Sequence, residues 1–149
     1  MATVDKSRMR DTTRIREEIR QAFGQVPSWV NEIPEVALEG FWTTMRDLQL
    51  AETAIPNKYK ELIGLGVAGA TRCRYCALFH TEAAKLFGAS DQEIREAAMM
   101  AAHTMSASTF LNAITPDFET FQRETLAAIS YVRGQMGLQG GASSTRVHA

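Results

Sequence analysis

The chain is poor in cysteine: its 149 residues include only two, Cys73 and Cys76. Small secreted domains that depend on disulfides carry more cysteines, spread along the chain, so this sequence does not encode a disulfide scaffold. Its length suits one domain with a hydrophobic core of its own. Long apolar runs are missing too, since no segment approaches the roughly 20 residues that span a bilayer.

An excess of one charge is also absent. The formal net charge is −1, and acidic and basic residues alternate over residues 5–20. A nucleic-acid-binding surface needs clustered Lys and Arg, so we expect no nucleic acid partner. The first twenty residues contain no apolar segment of signal-peptide type. These features predict a cytoplasmic protein that does not bind membranes.

Alternating strand patterns are absent, and helical patterns follow one another instead. We therefore predict an all-α fold of about six helices. The predicted helices cover roughly 10–23, 34–50, 56–71, 72–87, 90–113 and a segment that starts at Thr115-Pro116. The second is expected to bury Val36, Phe41, Met45 and Leu48. We expect one helical domain over residues 1–136 and a flexible tail over 137–149, where Gly, Gln, Ser and Thr dominate.

The third predicted helix contains three glycines, Gly64, Gly66 and Gly69. Each costs about 1 kcal/mol relative to alanine in a helix interior. Such a cost suggests that another backbone approaches closely there. The sequence leaves open whether that approach occurs within one chain or at a subunit interface.

Residues with reactive side chains lie together in the window 71–80, TRCRYCALFH. Cys73 and Cys76 are three residues apart and Cys76 and His80 are four apart, which makes them neighbours on one helix face. Cys73 would lie at the helix start, where unpaired N–H groups favour a thiolate. An imidazole one turn from Cys76 can accept its proton. The spacing predicts a redox-active thiol pair that attacks peroxides or disulfides.

Other interpretations of these residues remain open. The cysteines could be structural, or they could bind zinc with His80 and Glu61. A second C-x-x-C or H-x-x-x-H is absent, so we expect no metal. Glu61 could instead reach His80 across a helical hairpin and orient its ring. By position alone, a glutamate between Lys60 and Leu62 is more often a solvated charge.

Four aromatic residues could cover the thiols as an apolar lid: Phe41, Trp42, Tyr75 and Phe79. Tyr75, Phe79 and Trp42 are therefore candidate substrate-binding residues, although aromatics at helical spacing are also typical of a core. His103, on the fifth predicted helix, is a further candidate. A lone histidine on such a face usually belongs to a core or an interface.

The stretch from Glu61 to about Ala113 resembles the alkylhydroperoxidase AhpD-like group of the carboxymuconolactone decarboxylase superfamily. The resemblance implies an AhpD-like helical fold in which a helix hairpin carries the C-x-x-C motif, assembled as a homo-oligomer such as a trimer or hexamer. It implies antioxidant activity on a hydroperoxide or disulfide substrate, with a dithiol as reductant and no cofactor besides a Cys73–Cys76 disulfide. Cys76 would be activated with His80, Cys73 would be its disulfide partner, and Glu61 would belong to a proton relay.

Tyr75 departs from the resemblance, since the best-known peroxidases of the group have histidine immediately before the second cysteine. A phenol is a poorer proton shuttle than imidazole at neutral pH. The decarboxylase branch, in turn, lacks the cysteine pair. Two alternatives to a peroxidase or disulfide oxidoreductase therefore stay open: a non-catalytic oligomeric redox sensor, and a decarboxylase-like enzyme that uses the same pocket.

Overall fold

The computed structural model describes residues 6–137, with side chains from residue 11 onward. Every regular element in this part of the chain is helical, which confirms the predicted all-α class. The elements are α1 (Lys6–Phe23), a 3₁₀ helix (Ser28–Glu32), α2 (Glu35–Thr44), a π-helical segment (Met45–Leu50), α3 (Asn57–Ala70), α4 (Arg74–Leu86), α5 (Asp91–Ile114) and α6 (Phe118–Gln135). Apart from Gly137, the predicted flexible tail lies outside the described residues.

The chain divides into two compact units, Met1–Ala102 and His103–Ala149, with the division inside α5. The first unit holds the cysteine pair and the residues around it. The prediction of a single domain over residues 1–136 stays a prediction. Among the described helices, none has the length and apolar character needed to cross a bilayer.

The core of the first unit forms where α1, the 3₁₀ helix and α2 meet. Its buried members are Ile15, Ile19, Val30, Leu38 and Trp42. Three of the four residues that the second helix was predicted to bury are exposed: Val36 is 75%, Leu48 60% and Phe41 43% exposed. Met45 is partly buried. Leu38 and Trp42 lie four residues apart and meet α1 as a stripe, and Val36 is two residues off that stripe.

A tight turn joins α3 to α4 and sets the position of the first cysteine. Arg72 adopts the left-handed conformation with φ 58°, and the Cys73 N–H donates to the Ala68 carbonyl at 2.9 Å. This bond, from the third residue past the helix end back to the last turn of α3, is the Schellman arrangement. Because the turn is short, Cys73 becomes the N-cap of α4, and α4 packs along α3.

The start of α5 is a capping box, in which Ser90 and Glu93 bind each other's backbone N–H groups. The Ser90 N–H donates to Glu93 Oε2 at 2.8 Å, and the Glu93 N–H donates to Ser90 Oγ at 3.2 Å. Lys58 on α3 also binds Glu93 at 2.8 Å. The Lys58 ammonium and the Ser90 groups lower the pKa of Glu93 to about 2. The beginning of α5 is therefore tied to α3.

Candidate active site

The two cysteines lie at the first turn of α4, both as free thiols. Cys73 is partly buried and Cys76 is exposed. The Cys76 backbone N–H donates to Cys73 Sγ at 3.3 Å, so the sulfur serves as the side-chain cap of the helix. A sulfur that accepts hydrogen bonds in this position is stabilised as a thiolate.

Their local environment separates the pKa values of the two thiols. The pKa of Cys73 is lowered, first because the Cys76 thiol donates a hydrogen bond to it, and then because backbone N–H groups of Cys76 and Tyr75 do so. The pKa of Cys76 is raised, first because its thiol donates a hydrogen bond to Cys73, and then by reduced contact with solvent and by the negative charge on Cys73. When the reduced pair loses its first proton, the charge therefore resides on Cys73.

Glu61 and His80 form a buried pair across the α3–α4 hairpin. Glu61 is fully buried, and its Oε2 lies 2.6 Å from His80 Nδ1. The interpretation of Glu61 as a solvated surface charge is therefore wrong. A carboxylate on Nδ1 holds the proton on that nitrogen and orients the ring, which leaves Nε2 as the nitrogen that can exchange a proton.

Gly64 on α3 makes room for the His80 ring. A Cβ atom built on Gly64 would lie 2.5 Å from His80 Nδ1 and 2.6 Å from Nε2. These distances are too short for non-bonded atoms, so any larger residue at position 64 would displace the ring. The other two glycines differ, since a Cβ on Gly66 would make an ordinary 3.5 Å contact with Ala101 and one on Gly69 would meet nothing within 4 Å. The close approach suggested by the three glycines thus occurs within the chain, at Gly64, and involves a side chain.

A cavity of about 730 Å³ opens beside the thiols. Ten residues line it: Ser28, Trp29, Phe41, Met45, Gln49, Cys73, Tyr75, Cys76, Phe79 and His80. Its wall is mainly aromatic and aliphatic, and its polar groups include the thiols, the imidazole of His80, the amide of Gln49 and the hydroxyls of Ser28 and Tyr75. Such a site can bury an organic molecule and hold its reactive group against sulfur.

The predicted substrate-binding residues separate into two groups. Tyr75 and Phe79 line the cavity. Phe79 packs edge-on against His80, with 5.5 Å between the ring centroids. The exposed Tyr75 hydroxyl accepts a 2.9 Å hydrogen bond from Arg74, and the Arg74 guanidinium lies over the Tyr75 ring. Trp42 does not line the cavity, because it lies in the core and its indole N–H donates to Glu18. His103 belongs to the second unit, on an exposed position of α5.

Three of the residues that line the cavity were not among the predicted site residues: Trp29, Met45 and Gln49. Trp29 takes the place predicted for Trp42: it lines the cavity beside the predicted Phe41, and the two rings pack edge-to-face with their centroids 5.7 Å apart. Gln49 donates from Nε2 to Glu61 Oε1 at 3.4 Å. The available signal was a polar residue seven positions after Trp42, which an unbroken α-helix would place on the face that buries Trp42.

The residues around the thiols do not form a cluster of metal ligands. Within residues 6–137 no group of three or more His, Cys, Asp and Glu side chains is placed to hold a metal ion. In the zinc interpretation Glu61 would be a ligand beside the cysteines and His80. In the structure its Oε2 instead contacts His80 Nδ1.

Comparison with known proteins places this site in a family. Residues 37–115 match the sequence model of the carboxymuconolactone decarboxylase family, and this range contains the cysteine pair, Glu61 and His80. Among curated proteins, "Uncharacterized protein 4 in cox locus" of Paracoccus denitrificans is 26% identical over 77 residues, which is 52% of this chain and 69% of that protein.

A solved structure shares the fold. The alkylhydroperoxidase AhpD core from Rhodospirillum rubrum superposes with a TM-score of 0.65 at 24% sequence identity, over 82% of this chain and 98% of that chain. The helical architecture is therefore that of an AhpD core.

Proposed function

The chain belongs to the carboxymuconolactone decarboxylase family, and from its site we propose that it is a thiol-dependent peroxidase that reduces organic hydroperoxides. One observation carries this proposal. Two thiols of unequal acidity share an apolar cavity with His80, whose ring is oriented by the buried Glu61. The relay, the assembly and the partners described below belong to the same proposal.

Cys76 is the proposed attacking residue. Its raised pKa means that it needs a base, and the proposed base is His80, four residues further along the same helix. The Cys76 thiolate attacks the hydroperoxide, the O–O bond breaks, and the alkoxide takes the proton back from His80 to leave as an alcohol. Cys76 becomes a sulfenic acid.

Cys73 is the proposed resolving residue, and its lowered pKa suits that role. Its thiolate attacks the Cys76 sulfur, an S–S bond forms, and hydroxide leaves as water after it takes a proton. An external dithiol then supplies two electrons and two protons, attacks the exposed Cys76 sulfur and displaces Cys73. The thiol of lower pKa leaves faster, so the same acidity serves both half-reactions.

The redox-active disulfide is the only electron carrier this cycle needs. Because the dithiol must be regenerated, we place the protein in a reducing compartment, the cytoplasm. Disulfide substrates could enter the cycle in place of hydroperoxides through exchange with the Cys73 thiolate.

A stoichiometric oxidation tests the proposal. One equivalent of cumene hydroperoxide should remove both thiols of the reduced protein, lower its mass by two hydrogens and release one equivalent of the alcohol. Thiol titration and mass spectrometry measure the first two quantities, and chromatography measures the third. Protein alkylated beforehand at both cysteines is the control. If both thiols survive prolonged excess hydroperoxide, peroxidase function is excluded.

A decarboxylase-like reaction is the second candidate, and the family match favours it. Such a reaction could use the same apolar cavity with His80 as its acid or base, without redox chemistry. Cys76→Ser distinguishes the two, since lactone decarboxylation should survive the substitution and hydroperoxide reduction should not.

The exposed apolar residues support assembly as a homo-oligomer, a trimer or hexamer. α6 buries none of its residues. The large apolar side chains on α6 and at its C-cap are exposed: Phe118, Phe121, Leu126, Ile129, Tyr131, Val132 and Met136. Monomeric proteins rarely leave such patches open, and identical subunits can cover them by symmetry.

Sedimentation velocity at micromolar concentration should therefore show an oligomer. Ile129→Lys should shift the protein towards monomer, because it places a charge in the covered surface. Glu124→Lys, which also adds positive charge to α6 at an exposed polar position, should leave the assembly unchanged. A wild-type monomer at this concentration would contradict the proposal.

A further inference from the structure

Gln49 is the residue beside the proposed relay that the mechanism above does not use. It is partly buried at the end of the π-helical segment, and its side chain both lines the cavity and donates to Glu61 Oε1. Because the other carboxylate oxygen faces His80 Nδ1, each oxygen of the buried carboxylate has its own partner. Gln49 is thus the second group that holds Glu61.

The π-helical segment explains how a residue of the core-facing stripe reaches this site. Gln49 follows Leu38 by eleven residues, about three turns of an α-helix, so an unbroken helix would direct it to the core beside Leu38 and Trp42. A π-helix bonds each N–H five residues back, as the Ala51 N–H does with the Arg46 carbonyl at 3.0 Å. Each residue then advances by a smaller angle. Gln49 consequently turns away from the core towards the face where Phe41 and Met45 line the cavity.

The end of this segment is fastened to the helix that carries Glu61. The Leu50 carbonyl accepts from Asn57 Nδ2 at 2.9 Å, and the Ala51 carbonyl accepts from Lys60 Nζ at 2.6 Å. Asn57 and Lys60 lie in the first turn of α3, immediately before Glu61. Carbonyls at a helix end that would lack partners are thereby satisfied, and Gln49 is fixed relative to Glu61.

We propose that Gln49 is a positioning residue for the Glu61–His80 pair. With His80 as its sole partner, the carboxylate could rotate about its last side-chain bond. The amide of Gln49 fixes the carboxylate plane so that Oε2 stays on Nδ1 and Nε2 remains the nitrogen that exchanges a proton. The catalytic consequence rests on the proposed function, whereas the effect on the His80 ring does not.

A double-mutant cycle measures the catalytic consequence. Gln49→Met removes the amide at similar volume and should slow hydroperoxide-dependent thiol oxidation on the order of tenfold, since hydrogen bonds to charged groups are among the stronger ones. In a Glu61→Gln background the same substitution should change the rate by less than about twofold, because residues that act through one another are not additive. Equal losses in both backgrounds, or no loss in the wild type, would overturn the proposal.

The resting protein gives a readout that needs no turnover. The His80 Nδ1 proton should give a downfield NMR signal, and Gln49→Met should move it upfield and speed its exchange with water. An unchanged signal overturns the positioning role. If the wild type oxidises no thiol, the peroxidase proposal fails, and this signal still decides the role of Gln49.

Two further variants separate positioning from folding. Leu48→Met changes an exposed side chain of the same π-helical segment and should leave both readouts as in the wild type. If Gln49→Met does not fold, Gln49→Glu tests the same contact at equal length, because it replaces the donor with a carboxylate against Glu61. It should disturb the His80 signal, and a signal like that of the wild type would overturn the proposal.

Discussion

Gly64→Ala is expected to reduce hydroperoxide-dependent thiol oxidation by roughly 10² to 10⁴-fold, the range that a positioned acid–base group contributes, while the helical content is retained. The added methyl group would occupy the space of the His80 ring, so the ring must leave its place beside Glu61. The measurement is the rate of thiol loss at a fixed concentration of cumene hydroperoxide. A rate within about twofold of the wild type would show that His80 does not assist the reaction.

Gly69→Ala is the matched control, because it makes the same substitution on α3 where a Cβ meets nothing within 4 Å. It should leave the oxidation rate unchanged and raise the free energy of unfolding by about 1 kcal/mol, the difference between glycine and alanine in a helix. Gly64→Ala should instead lower that free energy. Displacement of His80 leaves Glu61 buried without this partner, and a broken buried pair typically costs about 3–5 kcal/mol.

Separate replacement of the two cysteines should abolish turnover in two different ways, each by at least about a thousandfold. Cys76→Ser should consume hydroperoxide no faster than a free thiol does. Cys73→Ser should react once and stop at a sulfenic acid on Cys76, because the resolving thiolate is gone. Mass spectrometry with a dimedone trap detects that intermediate. A trapped sulfenic acid on Cys73, in Cys76→Ser, would exchange the proposed roles.

The pH dependence of alkylation checks the order of acidity of the two thiols, and it needs no hydroperoxide. As pH rises, Cys73 should ionise first because its pKa is lowered, and Cys76 should follow because its pKa is raised. Between those two pH values, iodoacetamide should label Cys73 and spare Cys76. In Cys73→Ser the negative charge beside Cys76 is absent, so its pKa should fall and its labelling at neutral pH should accelerate. Preferential labelling of Cys76 in the wild type would contradict this order.

Local sequence patterns were sufficient to predict most of the helices. The second and third helices were predicted to start at residues 34 and 56, and they begin one residue later because Pro34 and Pro56 are their N-caps. Gly88 adopts the left-handed conformation just after α4, and Ser90 with Glu93 forms a capping box. These features depend on neighbours a few residues away, so they can be read from a single sequence. The length of α2 could not be predicted, because its last turns become π-helical where Gln49 meets Glu61 on another helix.

The residues of the candidate site show the same difference between local patterns and contacts between distant parts of the chain. By itself the sequence determined that Cys73, Cys76 and His80 share one face of a helix, because residues three and four apart are neighbours there. Only the tertiary structure decided that Glu61 is buried against His80, that Gly64 accommodates the ring and that Trp29, rather than Trp42, lines the cavity together with Phe41. Those contacts join residues far apart in the chain, and they depend on how α2, α3 and α4 pack, which no local spacing encodes.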